Sequence, residues 1–373
     1  MGHKYIWQNS QWPNLVWSSE ALLLPLGKAR RAQGRILSQA QFIGLDARAD
    51  ILVEEAFSTS AIEGENYDRK TIRSSGAKRL VLSTVGLPKQ QKEVDGLVEV
   101  LIDATTHFDD SLTAKRLHGW QASLFPTGHS GLHKIQTGKW RTVREPMQVV
   151  SGPQGKERVH YEAPPAKSIP AEMKAFLEWW KKPPVHLDGL LRAGIAHFWF
   201  VSIHPYEDGN GRIARAISEM ALAQDENSAK RFYSVSAQIV QERENYYEIL
   251  EASQKQSCDI TQWLEWFLGV YTRAVAHSEA IVQKALAVAK FWQLHSEIEL
   301  NERQIKVIQK LLEAETEGFK GGLNNRKYVS LTKTSRETAK RDLIDLEAKG
   351  LLKRNPGGGR SVSYALNKSR LNF

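Results

Sequence analysis

The sequence predicts a mainly α-helical protein with a small β-hairpin and a C-terminal winged helix-turn-helix domain. Helical periodicity of apolar residues dominates from about residue 18 to residue 296. One strand-like interruption surrounds the turn signal SGPQG, and the C-terminus has the pattern of helices followed by two short strands. The 373 residues, 41% of them hydrophobic and 25% charged, are enough for two or three folded domains.

We expect three parts along the chain. They are an N-terminal helical module over residues 1–95, a helical core over residues 96–297 and a winged helix over residues 298–373. In the first part, apolar residues recur at alternating spacings of four and three, at Ile36, Ala40, Ile43 and Ala47. This spacing is typical of one face of long helices.

The core should contain the hairpin and two strongly buried helices. The β-forming residues Val149-Val150 and Val159-Tyr161 flank the turn signal. Two prolines then precede a helix in SIPAEMKAFLEWWKK, and a very apolar helix runs from about Asp188 into His204, where Pro205 ends it. A further helix begins in RIARAISEMALAQ, so the segment before it is a loop between two buried helices.

The C-terminal part differs in pattern and in charge. RQIKVIQKLLEA and SRETAKRDLIDLEAKGLL predict two helices, the second capped by Ser335 and stopped by Gly350. LLKR and SVSYAL predict two strands joined by NPGGG. From Asn301 onward the chain holds 16 of its 51 Lys and Arg residues but 8 of its 42 Asp and Glu residues, which is +8 of the formal +9. Such asymmetry favours an acidic partner, nucleic acid first among them.

Cysteine content and hydropathy indicate the compartment. Cys258 is the one cysteine, which excludes an internal disulfide and a cysteine-rich zinc site. The N-terminus lacks a basic region followed by an apolar stretch, and the sequence has no run of 18 apolar residues. We therefore expect a cytoplasmic protein that does not enter membranes.

The loop between the two buried helices is HPYEDGNGRIAR, residues 204–215. Its Gly209, Asn210 and Gly211 precede the first turn of a helix, where free N–H groups and the positive dipole end attract anions. Glycine lets a phosphate approach the backbone, and Asn210 tolerates left-handed dihedrals while offering an amide donor. The pattern predicts a phosphate site.

Charged residues complete this predicted site. Arg212 and Arg215 lie three apart on one face of the new helix, beside an end that disfavours cations unless an anion is bound. Asp208 offers a hard oxygen ligand suited to Mg²⁺ that shares phosphate oxygens. His204 is the one group of the motif that can accept a proton near neutral pH.

The whole motif resembles the signature of Fic proteins, H-P-[FY]-x-[DE]-G-N-G-R-x-x-R, without a departure. The resemblance implies a helical Fic core and transfer of AMP from ATP to a hydroxyl side chain (Tyr, Ser or Thr) of a protein. It makes His204 the general base and Asp208 the magnesium ligand. It also assigns the α-phosphate to the amides of Gly209, Asn210 and Gly211, and the β- and γ-phosphates to Arg212 and Arg215.

Two other segments of the core resemble parts of Fic proteins. MQVVSG, with Val149, Val150, Ser151 and Gly152, is similar to the flap that pairs with an extended segment of the target. ENYYEILEASQK is similar to the stretch that closes on the adenine, for which Tyr246, Tyr247 and Gln254 are the candidates. The family often has Asn where Gln254 stands.

The N-terminal part resembles an inhibitory module. KYIWQNSQWPNLVW, with Trp7, Trp12 and Trp17, is similar to a module fused to bacterial Fic domains. STSAIEGE matches the inhibitory motif [ST]-x-x-x-E-[GN] through Thr59, Glu63 and Gly64, on a helix predicted over about residues 50–65. The resemblance implies that Glu63 pairs with Arg215 and denies it to the γ-phosphate.

TSRETAKRDLIDLEAKGLLKRNPGGGRSVSYAL resembles the winged helix appended to many Fic proteins, with Arg336, Lys340 and Arg341 on the recognition helix and Arg360 at the wing. The acidic residues of the same helix leave protein binding or dimerisation open beside DNA binding. The partners that we expect are ATP with Mg²⁺, a target protein that is either another chain or this one, DNA, and a second copy in a homodimer. The alternatives are a DNA-binding regulator that uses the nucleotide site as a sensor, and a Fic enzyme of another reaction, such as AMP removal or use of another phosphate donor.

Overall fold

The computed structural model describes residues 4–39, 45–79, 88, 91–151, 158–255, 257–313, 322–356 and 362–367. The helices in these ranges are α1 (Ser19–Gln39), α2 (Leu45–Ile62), α3 (Arg69–Arg79), α4 (Lys92–Thr106), α5 (Ala114–Leu124), α6 (Ile169–Lys181), α7 (Gly189–Ile203), α8 (Asn210–Glu226), α9 (Val235–Gln241), α10 (Arg243–Ser253), α11 (Thr261–Leu294), α12 (Glu302–Glu313), α13 (Asn325–Thr332) and α14 (Arg336–Ala348). The strands form three antiparallel pairs: β1 (His129–Ser130) with β2 (His133–Lys134), β3 (Gln148–Ser151) with β4 (Arg158–Glu162), and β5 (Leu352–Arg354) with β6 (Tyr364–Leu366). The predicted fold class, mainly helical with a hairpin and a C-terminal helix-turn-helix domain, is confirmed.

The chain divides into two compact units, residues 1–282 and 283–373. The division falls inside α11 and not near residue 298, because Phe291 at the end of this helix belongs to the core of the second unit. Residues 1–95 fall in the same unit as residues 96–282 of the predicted core, and residues 283–297 fall in the second unit. Helix α2 of the N-terminal part packs against α9 and α4, which joins the two predicted parts.

The hairpin of β1 and β2 and helix α13 are not predicted by the sequence patterns. Strands β1 and β2 have two residues each, too few for an alternation of apolar and polar side chains to show. Helix α13 has eight residues, too few for a clear helical repeat; Tyr328 is its one fully buried residue, and Val329 and Leu331 are partly buried against the same core. It precedes α14 in the second unit, and the two pack as the helix pair of the helix-turn-helix.

The centre of the first unit is the pair of helices α7 and α8. Nearly every residue of α7 is buried, from Leu190 to Ile203, which agrees with its apolar sequence on all faces. Helix α7 begins at Asp188, whose carboxylate accepts the N–H groups of Leu190 and Leu191. Since α8 is buried from Ile213 to Ala223, the loop between the helices is anchored on both sides.

The N-terminal segment packs on the β3–β4 hairpin. The rings of Tyr5 and Tyr161 meet edge to face with centroids 5.4 Å apart. The Trp7 indole N–H donates to the carbonyl oxygen of Glu162 over 2.7 Å, and Trp12 donates to a carboxylate oxygen of Glu172 over 2.9 Å. These tryptophans anchor the segment. None of the helices in the described ranges is both long and apolar enough to span a membrane.

Packing of α4 on α5 provides a stability test. A Cβ atom on Gly96 of α4 would overlap the carbonyl oxygen of Ser123, whereas one on Gly119 of α5 meets nothing within 4 Å. We expect Gly96→Ala to lower the free energy of unfolding by about 2 kcal/mol or more through overpacking. The matched Gly119→Ala should raise it by roughly 0.5–1 kcal/mol, because alanine is the better helix former. Denaturant unfolding measures both, and equal stability of the two variants would contradict the contact.

Candidate active site

Two left-handed residues shape the turn between α7 and α8. His204 ends α7 with φ of 51°, and Gly209 precedes α8 with φ of 90°. Glycine suits position 209 for two reasons. It adopts this positive φ without strain, and a Cβ atom there would lie 2.9 Å from the ring of Phe125. Asn210 does not use the left-handed dihedrals that it tolerates, because it is the first residue of α8. Its side-chain oxygen accepts the N–H of Tyr206 and its amide donates to the Tyr206 carbonyl, so the side chain closes the loop.

Arg141 supports this turn and was not found from the sequence. Its Nε donates to the carbonyl oxygen of His204 over 2.7 Å, and its backbone N–H donates to that of Pro205 over 2.9 Å. A third bond joins its Nη2 to the carbonyl oxygen of Pro164. The side chain is buried, and burial lowers its pKa to about 10. A single arginine among polar residues gives no sequence signal for such a role.

His204 is held as a neutral base. A carbonyl oxygen can only accept, so Nδ1, which lies 3.2 Å from the Val201 oxygen, carries the proton and Nε2 keeps its lone pair. Burial lowers the pKa of the ring to about 4, and the Val201 bond only partly opposes this. The ring is therefore unprotonated at neutral pH, as a proton acceptor requires.

Asp208 lies beside His204 with its carboxylate fixed from two sides. One oxygen accepts the N–H of Gly209, and the other accepts the hydroxyl of Ser130 from β1. Its side chain is 41% exposed, with the nearest Arg212 nitrogen 3.8 Å away. Within the described part of the chain no cluster of three His, Cys, Asp or Glu residues forms. A single exposed carboxylate suits Mg²⁺, which keeps several waters and shares phosphate oxygens.

Both predicted arginines are buried at the start of α8. The side chains of Arg212 and Arg215 are 3% and 2% exposed. Among the described residues, Nε of Arg212 and Nη1 of Arg215 find no hydrogen-bond acceptor. Buried N–H donors without acceptors are costly, and an anion at this helix end would supply acceptors. These two guanidinium groups and the first turn of α8 are called the cradle below.

The predicted pair of Glu63 and Arg215 is present. Nη2 of Arg215 lies 2.6 Å from a Glu63 oxygen and 3.0 Å from the carbonyl oxygen of Thr59, while Nε donates to the Thr59 hydroxyl over 2.6 Å. Burial alone would lower the pKa of Arg215, but the Glu63 charge raises it. Glu63 lies so close to Gly211 that a Cβ there would overlap its carboxylate. Glu63 therefore occupies the position from which an anion would reach both Gly211 and Arg215.

A cavity of about 660 Å³ opens over this turn. Its lining brings together most of the predicted site residues: Glu63, Val149, Val150, His204, Asp208, Asn210, Gly211, Tyr246, Tyr247 and Gln254. Arg212 and Arg215 are not among the lining residues; Arg215 pairs with Glu63, which lines the cavity, and Arg212 pairs with Glu65, which does not.

The three candidates for adenine contact reach the cavity, although their polar atoms already have partners. The hydroxyl of Tyr246 lies 3.1 Å from Nε2 of His197, and the amide of Gln254 donates to the Ser202 hydroxyl. The Tyr247 hydroxyl donates to the last carbonyl oxygen of α2, at Ile62. They can offer ring faces and contact area to a base, and Tyr247 also ties the end of α2 to α10.

The predicted flap is the β3–β4 hairpin. Val149 pairs with Tyr161, and a register shift follows before Val150 pairs with Val159. Val150 is 48% exposed at the cavity, and β3 pairs with β4 alone among the described strands. Ser151 ends β3 opposite Arg158, whereas Gly152 lies outside the described residues.

In the second unit, α14 presents the predicted basic residues to solvent. Arg336, Lys340 and Arg341 are exposed, and no described residue forms an ion pair with them. The acidic Asp342 points inward, where it accepts hydrogen bonds from Arg303 and the Tyr328 hydroxyl. Arg360 lies outside the described residues.

Family models match three segments of the chain. Residues 111–222 match the Fic/DOC family, residues 5–82 a domain of unknown function, DUF4172, and residues 320–365 a DeoR-like helix-turn-helix domain. The chain thus contains a Fic domain and a C-terminal helix-turn-helix domain, which confirms the resemblance of residues 204–215 to the Fic signature and of the C-terminus to a helix-turn-helix.

The chain is also similar to individual proteins. It is 28% identical to the protein adenylyltransferase Fic of Nematostella vectensis over 206 residues, 53% of this chain and 42% of that protein, so it spans less than half of that relative. A Fic family protein from Desulfovibrio desulfuricans G20 has a similar fold, with a TM-score of 0.58 and 19% identity over 94% of this chain and 97% of that one. A Fic domain containing signaling protein from Bacteroides thetaiotaomicron VPI-5482 has a TM-score of 0.49 and 17% identity over 72% of this chain and 97% of that one.

Two histidine rings should stay neutral in mildly acidic solution. Burial lowers the pKa of His204 to about 4 and that of His197 to about 3. We expect their ring signals in NMR spectra to keep constant shifts between about pH 5.5 and 8, where an ordinary histidine titrates. The spectrum of His204→Ala assigns the signal. A ring that titrates near pH 6.5 and vanishes in this variant would contradict the buried neutral base.

Proposed function

We propose that this protein is an adenylyltransferase that moves AMP from ATP to a hydroxyl side chain of a target protein and releases pyrophosphate. One observation carries the proposal. A neutral histidine, whose Nε2 has no hydrogen-bond partner in the described part of the chain, lines the same cavity as the first residues of the cradle, and the buried guanidinium groups of the cradle have donors that lack acceptors among the described residues. The Fic domain and the similarity to an adenylyltransferase support it.

This geometry indicates where the proton of the target hydroxyl goes and which bonds to phosphorus form and break. The target hydroxyl gives its proton to Nε2 of His204 as its oxygen attacks the α-phosphorus. The bond from this phosphorus to the oxygen bridging to the β-phosphorus breaks, and pyrophosphate leaves. The amides at the start of α8 stabilise the α-phosphate oxygens, and Arg212 and Arg215 take the charge of the leaving pyrophosphate.

Mg²⁺ would be held by Asp208 together with phosphate oxygens, and it would neutralise charge on the phosphates. The Ser130 hydroxyl and the Gly209 amide orient the carboxylate for this task. The exposed edge of β3 would receive an extended segment of the target by main-chain pairing, which sets its hydroxyl near His204. The base would lie against Tyr246 and Tyr247.

Glu63 acts as a brake in this proposal. Its carboxylate holds Arg215, so the γ-phosphate of ATP loses its partner and the nucleotide binds in a pose unfit for attack. A carboxylate at the C-terminal end of a helix opposes the dipole, and pairing with Arg215 offsets this.

Glu63→Gly should raise incorporation of α-labelled ATP into protein about tenfold or more, the value of a charged hydrogen bond recovered by the nucleotide. His204→Ala should lower labelling by about 10²–10⁴-fold through loss of the base. The measurement compares these variants and wild type with MgATP, on purified protein and on a lysate. His186→Ala, an exposed histidine outside the cavity, is the control.

Labelling that is equal in Glu63→Gly and wild type would contradict the brake. Absence of label in every variant, both with ATP and with other labelled nucleotide donors, would favour a DNA-binding regulator that uses the nucleotide site as a sensor. Release of AMP from labelled protein, in place of its transfer, would favour the reverse reaction.

A second candidate function is DNA binding by the second unit. The exposed basic residues of α14, which have no ion-pair partner among the described residues, favour it, because the acidic Asp342 is turned away from that face. A recognition helix of this kind meets phosphates and base edges in the major groove.

We expect the triple change Arg336→Ala, Lys340→Ala and Arg341→Ala to weaken binding of the full chain to labelled duplex DNA and to reduce the slope of log K against log salt by about 2–3. Fluorescence anisotropy at several salt concentrations measures both. The control removes three exposed charges elsewhere, with Lys28→Ala, Arg31→Ala and Lys306→Ala. Equal losses in the two triple variants would assign the binding to net charge and not to α14.

A further inference from the structure

A second carboxylate contacts the cradle beside the Glu63–Arg215 pair. The two oxygens of Glu65 lie 2.9 and 2.8 Å from Nη1 of Arg212. The side chain of Arg212 is 3% exposed and that of Glu65 is 33% exposed, so a buried cation is paired with a carboxylate that solvent can reach. Asp208 is much farther from the same guanidinium, with a separation of 3.8 Å.

The end of α2 directs both carboxylates at α8. The Gly64 N–H donates to the carbonyl oxygen of Ala61 over 3.1 Å, and the Glu65 N–H donates to that of Ser60 over 3.0 Å. Gly64 has φ of 83°, so these are the two bonds of a Schellman motif. The chain reverses at Gly64, and residues on either side of it reach two arginines that α8 places one turn apart.

Each carboxylate has its own arginine. Glu63 takes Arg215 and Glu65 takes Arg212, so both cationic groups of the cradle are engaged at once. A carboxylate and a phosphate compete for the Nη1 group of Arg212 and the Nη2 group of Arg215, because an N–H that donates to a carboxylate is not available to a phosphate. Arg243 and Tyr247 fix the carbonyl oxygen at the end of α2, which keeps the two contacts together.

We propose that Glu65 is a second inhibitory carboxylate, which withholds Arg212 from the β-phosphate of a nucleotide. The inference rests on the proposed function for the assignment of the cradle to nucleotide phosphates. Removal of Glu63 then frees one arginine and leaves the other engaged. Release of the site is complete when both carboxylates leave, and Glu65 controls affinity for nucleotides that possess a β-phosphate.

Calorimetric binding of AMP, ADP and ATP, with Mg²⁺, to the purified full chain tests this. We expect Glu65→Gln to tighten ADP and ATP binding about five- to tenfold and to change AMP binding less than about twofold, since a single charged hydrogen bond to the β-phosphate would form. The double variant Glu63→Gly with Glu65→Gln should bind ATP more tightly than either single variant. Glu54→Gln is the matched control, since Glu54 is 33% exposed, as Glu65 is, and pairs with Arg69 outside the cradle.

Unchanged or weaker ADP binding by Glu65→Gln would overturn the proposal, because Glu65 would then only orient Arg212. An equally large tightening of AMP binding would overturn it too, since that result means a general opening of the site. Thermal unfolding checks the fold of each variant, and Glu65→Asp, whose carboxylate is one methylene shorter, replaces Glu65→Gln if that variant is unfolded, with an intermediate increase in affinity expected.

Measurements of nucleotide binding and of AMP transfer distinguish the adenylyltransferase proposal from the proposal that Glu65 is inhibitory. The predicted tightening of ADP binding without AMP transfer by any variant would refute the adenylyltransferase and support Glu65 as a control of the cradle. AMP transfer by Glu63→Gly with ADP binding indifferent to Glu65 would refute the second carboxylate alone. Absence of nucleotide binding by every variant would contradict both.

Discussion

The turn between α7 and α8 is the constraint on which the site depends. Two residues adopt left-handed backbone, His204 and Gly209, and only a rigid surround keeps a histidine there. Arg141 provides that surround by bonding to the carbonyl oxygens of His204 and Pro205, while Asn210 closes the loop on Tyr206. The two helices are buried over most of their length, so the turn cannot relax by moving either end.

This arrangement concentrates positive charge at the start of α8. The guanidinium groups of Arg212 and Arg215 are almost fully buried, and their partners Glu63 and Glu65 come from one short segment at the end of α2. Charges in a low-dielectric site interact strongly. An anion bound in the cradle therefore interacts strongly with the two guanidinium groups and with any carboxylate near them. The buried charges of Arg212 and Arg215 need anionic partners. The carboxylates of this segment supply them here, and in the proposed function the phosphates of a nucleotide would supply them instead.

The N-terminal part is thereby joined to the part of the same unit that contains the Fic domain. Helix α2 packs against α9 and α4, and its last carbonyl oxygen receives hydrogen bonds from Arg243 and Tyr247 of α10. Tyr247 also lines the cavity, so a base bound there and the end of α2 share one side chain. The link between the cavity and the end of α2 is therefore short and made of direct contacts.

The sequence by itself determined the helical class, the hairpin, the helix-turn-helix and the catalytic motif, because local periodicity, turn residues and a contiguous signature record these features. It also led to the Glu63–Arg215 pair, through the short motif around Glu63. Only the tertiary structure decided which residues complete the site. Arg141 lies 63 positions from His204 and Glu65 lies 147 positions from Arg212, separations at which no local pattern operates. The hydrogen bonds between the Asn210 side chain and Tyr206 and the inward turn of Asp342 also depend on tertiary structure, since side-chain direction follows the partners that packing brings within hydrogen-bond distance.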